Sequence, residues 1–306
     1  FSSTIPDHSV VERIDPTTGD HRDVWVFNGS DRPDLHDSHD ADLINGDELV
    51  MNNMPRNGND SVVVYNLTRE EVVWEYRFAD HPEAFPKDGG GTFGDDWTHN
   101  NDVERIAEGV FMVSVRNYDQ VVAINRSTKE VEWRLGQDDN ADILDEQHNP
   151  DYITGEDGRS TVLVADSLND RVVEYGWTDD GWERTWVLRG GELNEPRDAD
   201  RLPNGNTLVA DRRGHRLVEV TPEGEVVWEV YAPFQPYDAE RVGTGDESTG
   251  PTMAQLNATG THEMTGSQGV NDTRAAVCYD YLTSSDRDAQ LLPEDATFRE
   301  NTPNAD

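Results

Sequence analysis

The chain has 306 residues and carries 63 Asp and Glu against 25 Lys and Arg, a formal net charge of −38. A charge of this sign and size repels polyanions, which excludes bulk electrostatic binding of DNA or RNA. A hydrophobic share of 34% is low for a globular protein, but 8 Trp, 9 Tyr and 8 Phe are enough to build a core. No apolar run approaches the roughly 18 residues that a membrane-spanning helix needs.

Short strand patterns separated by turns fill most of the chain. The segment 39–76 contains a turn at Asn45-Gly46 followed by apolar runs at 49–51, 62–65 and 72–76. The segment 197–230 repeats this order, with Asn204-Gly205 at the equivalent turn. Asn-Gly between apolar runs is a strong hairpin signal, and each segment predicts four short antiparallel strands. Helical periodicity is essentially absent, so we expect an all-β fold.

The unit recurs five times. Acidic residues open the units at Asp40, Asp102, Asp151, Asp198 and Asp238, and a tryptophan marks each last strand at Trp25, Trp74, Trp133, Trp186 and Trp228. The N-terminal tryptophan precedes every opening aspartate, and the fifth aspartate has no tryptophan after it. We therefore predict a five-bladed β-propeller over residues 8–243, closed by N-terminal strands (10–27) and C-terminal strands (237–242) that share one blade. Six blades are the alternative, with further strands from 77–98 or 273–282.

The two ends of the chain differ from the repeats. Residues 1–7 are expected to be an N-terminal extension. Residues 244–306 are rich in Gly, Ser, Thr and acidic side chains, a composition typical of linkers. One apolar segment, 275–282, contains the single cysteine, Cys278, and is a candidate strand. It could pair with the edge of its own propeller or with that of a second copy, which would give a homo-oligomer or a filament through the tail.

Composition also indicates a habitat and a compartment. Only Lys87 and Lys129 are lysines, so arginine supplies nearly all the positive charge. Molar salt shortens the Debye length to about 3 Å and makes a self-repelling acidic surface tolerable, so we infer a halophile. The chain begins at Phe1 and contains Asn-x-Ser/Thr sequons, which favour a secreted or cell-surface protein with N-linked glycans. The sequons lie at Asn28, Asn59, Asn66, Asn125, Asn257 and Asn271.

Titratable side chains flank the opening aspartates, where the first strand of each blade should line a central channel. Two units share the pattern His-Asn-x-Asp, which places His99 and His148 three residues before their aspartates. His39, Arg197 and Tyr237 each precede an opening aspartate by one residue. Imidazole, guanidinium and phenol groups together suit an oxyanion such as a sulfate or phosphate ester. The structural alternative is that these side chains only hydrogen-bond neighbouring strands, and the aspartates themselves are expected to bind backbone amides between blades.

Metal binding is a second interpretation of the same histidines. His39, His99 and His148 on three adjacent blades could converge on one Zn²⁺. The segment 138–142 has an Asp-x-Asn-x-Asp order suited to Ca²⁺, although Ile143 stands where an EF-hand loop needs glycine, so a solvated acidic loop is favoured. We expect the chain to require no cofactor, with Zn²⁺ and Ca²⁺ as the candidate ions if it binds a metal.

Several segments resemble the arylsulfotransferase (aryl-sulfate sulfotransferase) family of β-propellers, here in a form expected of halophilic archaea. They are Trp97 to Asp102, Val113 to Asp119, Val131 to Gly136 and Gln147-His148-Asn149. The segments Asp166 to Val172 and Asp211 to Leu217 also resemble the NHL-type propeller repeat, which indicates fold more than function.

The resemblance to arylsulfotransferases implies an extracellular enzyme that transfers a sulfuryl group between phenols through a sulfohistidine, without a nucleotide donor. Carried over to this chain, it makes His148 the nucleophile, with His99, Arg116 and Arg197 binding the sulfuryl oxygens. A second histidine or Tyr237 would handle the phenolic proton. The chain is shorter than typical bacterial members and shows five blades where those have six. The alternative function is a non-catalytic glycosylated surface protein that adheres or self-assembles through its tail.

Overall fold

The computed structural model describes residues 2–5, 8–15, 17–28, 35–155, 158–244 and 247–267. The chain forms two compact units. Unit 1 comprises Phe1–Tyr152, Val164–Asn169 and Thr178–Trp182. Unit 2 comprises Ile153–Leu163, Asp170–Trp177 and Glu183–Asp306. Among the described residues, no helix is long and apolar enough to cross a membrane.

The fold is all-β, as predicted, and its strands form successive antiparallel sheets. A three-stranded sheet contains β1 (Ser2–Ile5), β2 (His8–Ile14) and β3 (His21–Phe27). The next sheet contains β4 (Ala41–Ile44), β5 (Glu48–Asn53), β6 (Ser61–Asn66) and β7 (Glu71–Arg77). The third contains β8 (Asn100–Ala107), β9 (Val110–Val115), β10 (Gln120–Asn125) and β11 (Val131–Gly136).

Two further sheets follow in the chain. One has the order β12 (His148–Thr154), β13 (Ser160–Asp166), β14 (Arg171–Thr178), β15 (Gly181–Arg189) and then β20 (Gly260–Glu263), and its strands contain residues of both units. The other, in unit 2, contains β16 (Pro196–Arg201), β17 (Thr207–Asp211), β18 (Arg216–Val220) and β19 (Val226–Tyr231). Short 3-10 helices span Phe78–Asp80, Arg116–Tyr118 and Ser167–Asn169.

The repeat seen in the sequence corresponds to these sheets. The predicted hairpin at Asn45-Gly46 is present, with both residues at positive φ (53° and 82°), and it sets the register in which Ile44 faces Glu48. All five marker tryptophans lie in the last strand of the meander they were expected to end. Two of them connect one sheet to the next. The Nε1 of Trp74 donates to the carbonyl of Arg126 (2.7 Å), and that of Trp186 donates to the carbonyl of Pro222 (2.9 Å).

Each unit has its own apolar core. In unit 1 the buried set includes Val62, Val64, Phe78, Trp97 and Val113. Strands β5 and β6 are buried on both faces, which explains why their sequences read as apolar runs instead of alternating patterns. In unit 2 the buried set includes Leu163, Trp186, Val209, Val218 and Met253.

The expected ends of the repeat region are partly wrong. Residues 237–242 form no strand, and Val242 is 73% exposed. After Arg77, the last residue of β7, the segment 77–98 contains a 3-10 helix and turns and no further strand, so it adds none of the strands considered for a sixth blade. Residues 2–5, assigned to an extension, form β1 and pair with β2. Ring closure and the number of blades remain predictions.

The C-terminal segment also differs from the expectation of a linker after residue 243. Residues 260–263 form β20, which pairs in parallel with β15. Met253, Ala258 and Met264 are buried in the core of unit 2. The composition misled because a few apolar side chains among many polar ones are enough to anchor such a segment. The candidate strand at 275–282, Cys278 and the run at 273–282 lie outside the described residues.

Candidate active site

A left-handed residue lies just before the first strand of three of the sheets. His99, Glu146 and Glu195 stand at these positions with positive φ of 43°, 46° and 53°. A left-handed conformation is unfavourable for residues other than glycine, so the surrounding structure must hold it. Aspartates perform that task. The N–H of Glu146 donates to Asp119 (2.9 Å), and the N–H of Glu195 donates to Asp170 (2.8 Å).

His99 is oriented by a carboxylate. Its Nδ1 lies 2.7 Å from Oδ1 of Asp96, and the carbonyl of Asp96 accepts from Nδ2 of Asn117 (2.8 Å). Burial lowers the pKa of His99, the hydrogen bond to Asp96 opposes that shift, and the charge of Arg116 adds to it. Hydrogen bonding to His99 lowers the pKa of Asp96 to about 2. At neutral pH the pair is therefore an aspartate and a neutral imidazole whose Nδ1–H points to the carboxylate and whose Nε2 has a lone pair.

His39 and Arg116 lie beside His99. The rings of His39 and His99 are 5.1 Å apart between centroids and meet edge to face. The backbone N–H of Arg116 donates to the carbonyl of His99 (3.3 Å). The Arg116 guanidinium donates to Asn117 Oδ1 (2.8 Å) and pairs with Glu146. Because these side chains are only partly buried, this group combines imidazoles and a guanidinium at a surface of a strongly acidic chain.

His148 is the first residue of β12 and is 1% exposed. Its Nδ1 lies 3.0 Å from the carbonyl oxygen of Glu146 and 2.9 Å from Oγ of Ser167. A carbonyl can only accept, so Nδ1 must carry the proton in this contact, and the lone pair is then on Nε2. The carbonyl of Glu146 therefore fixes the tautomer of His148, and the hydroxyl of Ser167 is a second contact of the same nitrogen.

Unit 1 therefore brings together four of the six predicted site residues. Contacts run from His39 to His99, from His99 to Arg116, from Arg116 to Glu146 and from Glu146 to His148. Sequence reasoning missed Glu146, Asp96 and Ser167. Only Glu146 left a signal, because Glu146-Gln-His and Glu195-Pro-Arg place the same acid two residues before a predicted site residue.

The other two predicted residues, Arg197 and Tyr237, belong to unit 2. Arg197 pairs with Glu195, and the same carboxylate also pairs with Arg212 and Arg213. Unit 2 thus holds its own convergence of guanidinium groups on one acid. Tyr237 lies outside the strands and is partly buried.

Two of the opening aspartates, Asp40 and Asp198, accept from backbone N–H groups as predicted. Oδ2 of Asp40 accepts from the N–H of Val103 (3.1 Å), and Oδ2 of Asp198 accepts from the N–H of Ala239 (3.3 Å). In the third sheet this contact is made by Glu104 instead of Asp102, and its carboxylate accepts from the N–H of Tyr152 (2.9 Å). Burial and neighbouring carboxylates raise the pKa of Asp102 well above its usual range.

Neither metal alternative finds a matching group. Among the residues described, no set of three or more His, Cys, Asp or Glu side chains is placed to hold a metal ion. In the acidic loop, Oδ1 and Oδ2 of Asp138 accept from the N–H of Gly90 (3.1 and 3.2 Å). That contact gives this carboxylate a structural task in joining two loops.

The sequons differ in accessibility. Asn28, Asn59 and Asn257 are exposed, and Asn125 is partly buried. Asn66 is 3% exposed, and its Nδ2 donates to Asp47 (3.2 Å). A glycan on Nδ2 needs a solvent-exposed amide, so the burial of Asn66 disfavours a glycan there, and glycosylation of this residue stays a prediction. Asn271 lies outside the described residues.

Comparison with known proteins gives one family match. The sequence model of the arylsulfotransferase (ASST) family matches residues 13–148, a range that contains His39, His99, Arg116 and His148. This match supports an arylsulfotransferase-like function at the level of the family. No curated protein matches the chain.

Solved structures with similar folds have low identity. Virginiamycin B lyase from Staphylococcus aureus is 11% identical with a TM-score of 0.43, covering 64% of this chain and 56% of that one. A putative 6-phosphogluconolactonase from Bacteroides uniformis is 12% identical with a TM-score of 0.48, covering 78% and 68%. The WD40 β-propeller domain of Doa1 is 9% identical with a TM-score of 0.39, covering 68% and 58%. The chain thus spans little more than half the length of the lyase.

Proposed function

We propose that this chain transfers a sulfuryl group from an aryl sulfate to a phenol through a covalent intermediate on Nε2 of His148. The observation that carries the proposal is the contact between Nδ1 of His148 and the carbonyl of Glu146 at 3.0 Å. It commits the proton to Nδ1 and the lone pair to Nε2, which is the arrangement a nucleophilic imidazole requires. The contact lies in the segment that matches the arylsulfotransferase family.

The first half-reaction is a displacement at sulfur. The Nε2 lone pair of His148 forms the N–S bond while the S–O bond to the donor breaks, and the bonding electrons leave with the phenolate, which takes a proton from water. The Nδ1–H stays bonded to the Glu146 carbonyl and carries the positive charge of the N-sulfoimidazole. Arg116, at the solvent-accessible edge of the site, supplies cationic donors for the sulfuryl oxygens.

The second half-reaction returns the sulfuryl group to an acceptor phenol. Nε2 of His99 accepts the phenolic proton as the phenol oxygen attacks sulfur, and the N–S bond breaks with its electron pair returning to His148. Burial keeps the pKa of His99 below its usual value, so its imidazole is uncharged at pH 7 and Nε2 has a lone pair that can accept a proton. His39, edge to face with His99, restricts the ring of His99. The roles expected of Arg197 and Tyr237 from the sequence stay predictions.

The test is an assay of sulfuryl transfer from an aryl sulfate to a second phenol. It measures two products, the released donor phenol and the new aryl sulfate. His148→Ala is expected to lose both products. His262→Ala is the matched control, because its ring also contacts a backbone carbonyl, Nε2 to Ala258 at 2.9 Å, but in unit 2. Equal transfer by wild type and His148→Ala would exclude the proposed nucleophile.

The setting of this activity is also proposed from the sequence. Exposed sequons at Asn28 and Asn59, a net charge of −38 and the scarcity of lysine support a secreted or cell-surface glycoprotein of a halophilic archaeon. Intact mass of the native protein, before and after deglycosylation, would test the glycans. Activity and unfolding measured across a salt series would test the halophily.

A second candidate function, self-assembly, is favoured by the edge strand β19. This strand is last in its sheet, and it exposes Val227, Trp228 and Val230. At its start, the N–H of Val226 donates to the carbonyl of Thr265 (2.8 Å), so the edge available to a second strand lies after this residue. An apolar edge strand is a template for pairing with another strand. Light scattering of the full chain and of a chain ending at Ser267 distinguishes the two functions, because that truncation leaves the buried residues up to 264 in place. Loss of oligomers on truncation supports assembly through the tail, and an unchanged mass contradicts it.

A further inference from the structure

Glu146 makes three contacts that meet at the candidate site. Its N–H donates to Oδ1 of Asp119 (2.9 Å), its carbonyl accepts from Nδ1 of His148 (3.0 Å), and its carboxylate pairs with Arg116. The main chain of this one residue therefore connects a carboxylate on one side with the proposed nucleophile on the other. Its carboxylate reaches the proposed oxyanion-binding guanidinium.

The conformation of Glu146 depends on support from its neighbours. A left-handed φ of 46° is sterically unfavourable for an L-residue, because Cβ then lies close to the following carbonyl oxygen. Asp119 provides the support from the turn that follows the 3-10 helix Arg116–Tyr118. That turn is itself closely packed, since a Cβ on Gly136 would lie 2.0 Å from the carbonyl oxygen of Asp119. Asp119 thus accepts from Glu146 out of a closely packed turn.

We propose that Asp119 is a positioning residue that acts through the main chain of Glu146 to hold the Nδ1–H tautomer and the orientation of His148, and that ionisation of Asp119 strengthens this hold. The inference rests on the proposed function. An ionised carboxylate accepts an N–H more strongly than a neutral carboxylic acid does. When Asp119 is protonated, the bond to Glu146 weakens and the left-handed conformation loses part of its support.

The surroundings of Asp119 place this change near neutral pH. Asp145 faces it from the segment that precedes β12, and Asp138 and Asp139 face it from the loop after β11. Burial, followed by the charges of these three carboxylates, raises the pKa of Asp119 to about 7, against a hydrogen bond from the backbone of Asp139. The site should therefore be held more firmly above pH 7 than below it.

Asp119→Asn tests the inference, because asparagine keeps an acceptor oxygen for the Glu146 N–H but cannot ionise. The measurement is the rate at which sulfo-His148 forms from an aryl sulfate, by quenching and intact mass, as a function of pH. With a pKa of about 7, the wild-type rate should rise by up to roughly tenfold between pH 6 and pH 8. The Asn variant should lack this step.

Asp145→Asn is the matched control, since it leaves Asp119 ionisable and removes one of the charges that raise its pKa. The rise of the sulfo-His148 formation rate should then occur at lower pH than in the wild type. If the rate rises between pH 6 and pH 8 in Asp119→Asn as it does in the wild type, the inference is overturned, because the titrating group then lies elsewhere.

A readout independent of activity separates the inference from the proposed function. The amide proton shift of Glu146 in NMR spectra should titrate near pH 7 in the wild type and stay constant in Asp119→Asn. If the amide titrates and no adduct ever forms, the proposed function fails while the coupling of Asp119 to Glu146 stands. If the amide does not titrate, the positioning role is wrong whatever the activity.

Discussion

Met253→Ala measures whether the C-terminal segment is part of the core of unit 2. Met253 is 0% exposed and packs with the buried residues around Trp186. Its N–H donates to both carboxylate oxygens of Glu174 (3.0 and 3.3 Å), so the backbone is fixed and the cavity left by truncation cannot readily collapse. Buried Met→Ala substitutions cost about 2–5 kcal/mol, and we expect about 3 kcal/mol here, a change of roughly a hundredfold in the unfolding equilibrium constant.

The assay is urea unfolding followed by tryptophan fluorescence, with the free energy of unfolding compared between variants. Val242→Ala is the control, because Val242 is 73% exposed and its truncation should change the free energy by less than about 0.5 kcal/mol. A linker after residue 243 would make Met253→Ala as mild as the control. Equal and small effects of both substitutions would therefore refute the packing of residues 247–267.

Three further outcomes follow from buried groups and from one close approach. Burial raises the pKa of Glu104 in the folded state. Its ionisation therefore destabilises the fold as pH rises above the pKa of this side chain in the unfolded state, about 4. In urea titrations, Glu104→Gln should increase the free energy of unfolding at pH 7.5 and have little effect near pH 4, and a larger gain at the lower pH would contradict this. Arg201→Met leaves the fully buried carboxylate of Glu174 without its charged partner and should lower the free energy of unfolding by about 3–5 kcal/mol in the same assay. Arg201→Met/Glu174→Met should lower it by less, and a larger loss in the double variant would refute the reasoning. Gly91→Ala places a Cβ 1.9 Å from the carbonyl oxygen of Asp96 and should cost about 1–3 kcal/mol, so a variant with wild-type stability would show that the loop is not held against this residue.

The sequence predicted the parts of the fold that repeat. Asn45-Gly46 and the marker tryptophans recur at a fixed place in each unit, so comparison of the chain with itself was enough to find the strands. The closing blade was not predictable in the same way. Residues 237–242 resemble a first strand in sequence, but a strand forms only where a partner strand lies alongside, and Val242 is exposed instead.

The sequence predicted which histidines and which arginine lie at the site, but not the hydrogen bonds that orient them. His148 and His99 were found because their motif recurs, and Arg116 because of the family resemblance. The carboxylates that orient them are less visible, since Asp96 and Glu146 are two acids among 63 and are selected only by where the chain folds them. The tautomer of His148 depends on a backbone carbonyl, which no side-chain pattern can reveal.

The most direct test of the central claim is intact-mass spectrometry of the protein mixed with an aryl sulfate in the absence of acceptor, followed by peptide mapping under neutral conditions. The proposed mechanism predicts one added sulfuryl group on the peptide that contains His148, its absence in His148→Ala, and its discharge when a phenol is added. A folded wild-type protein that gains no sulfuryl group, or that gains it on another residue, would contradict His148 as the nucleophile.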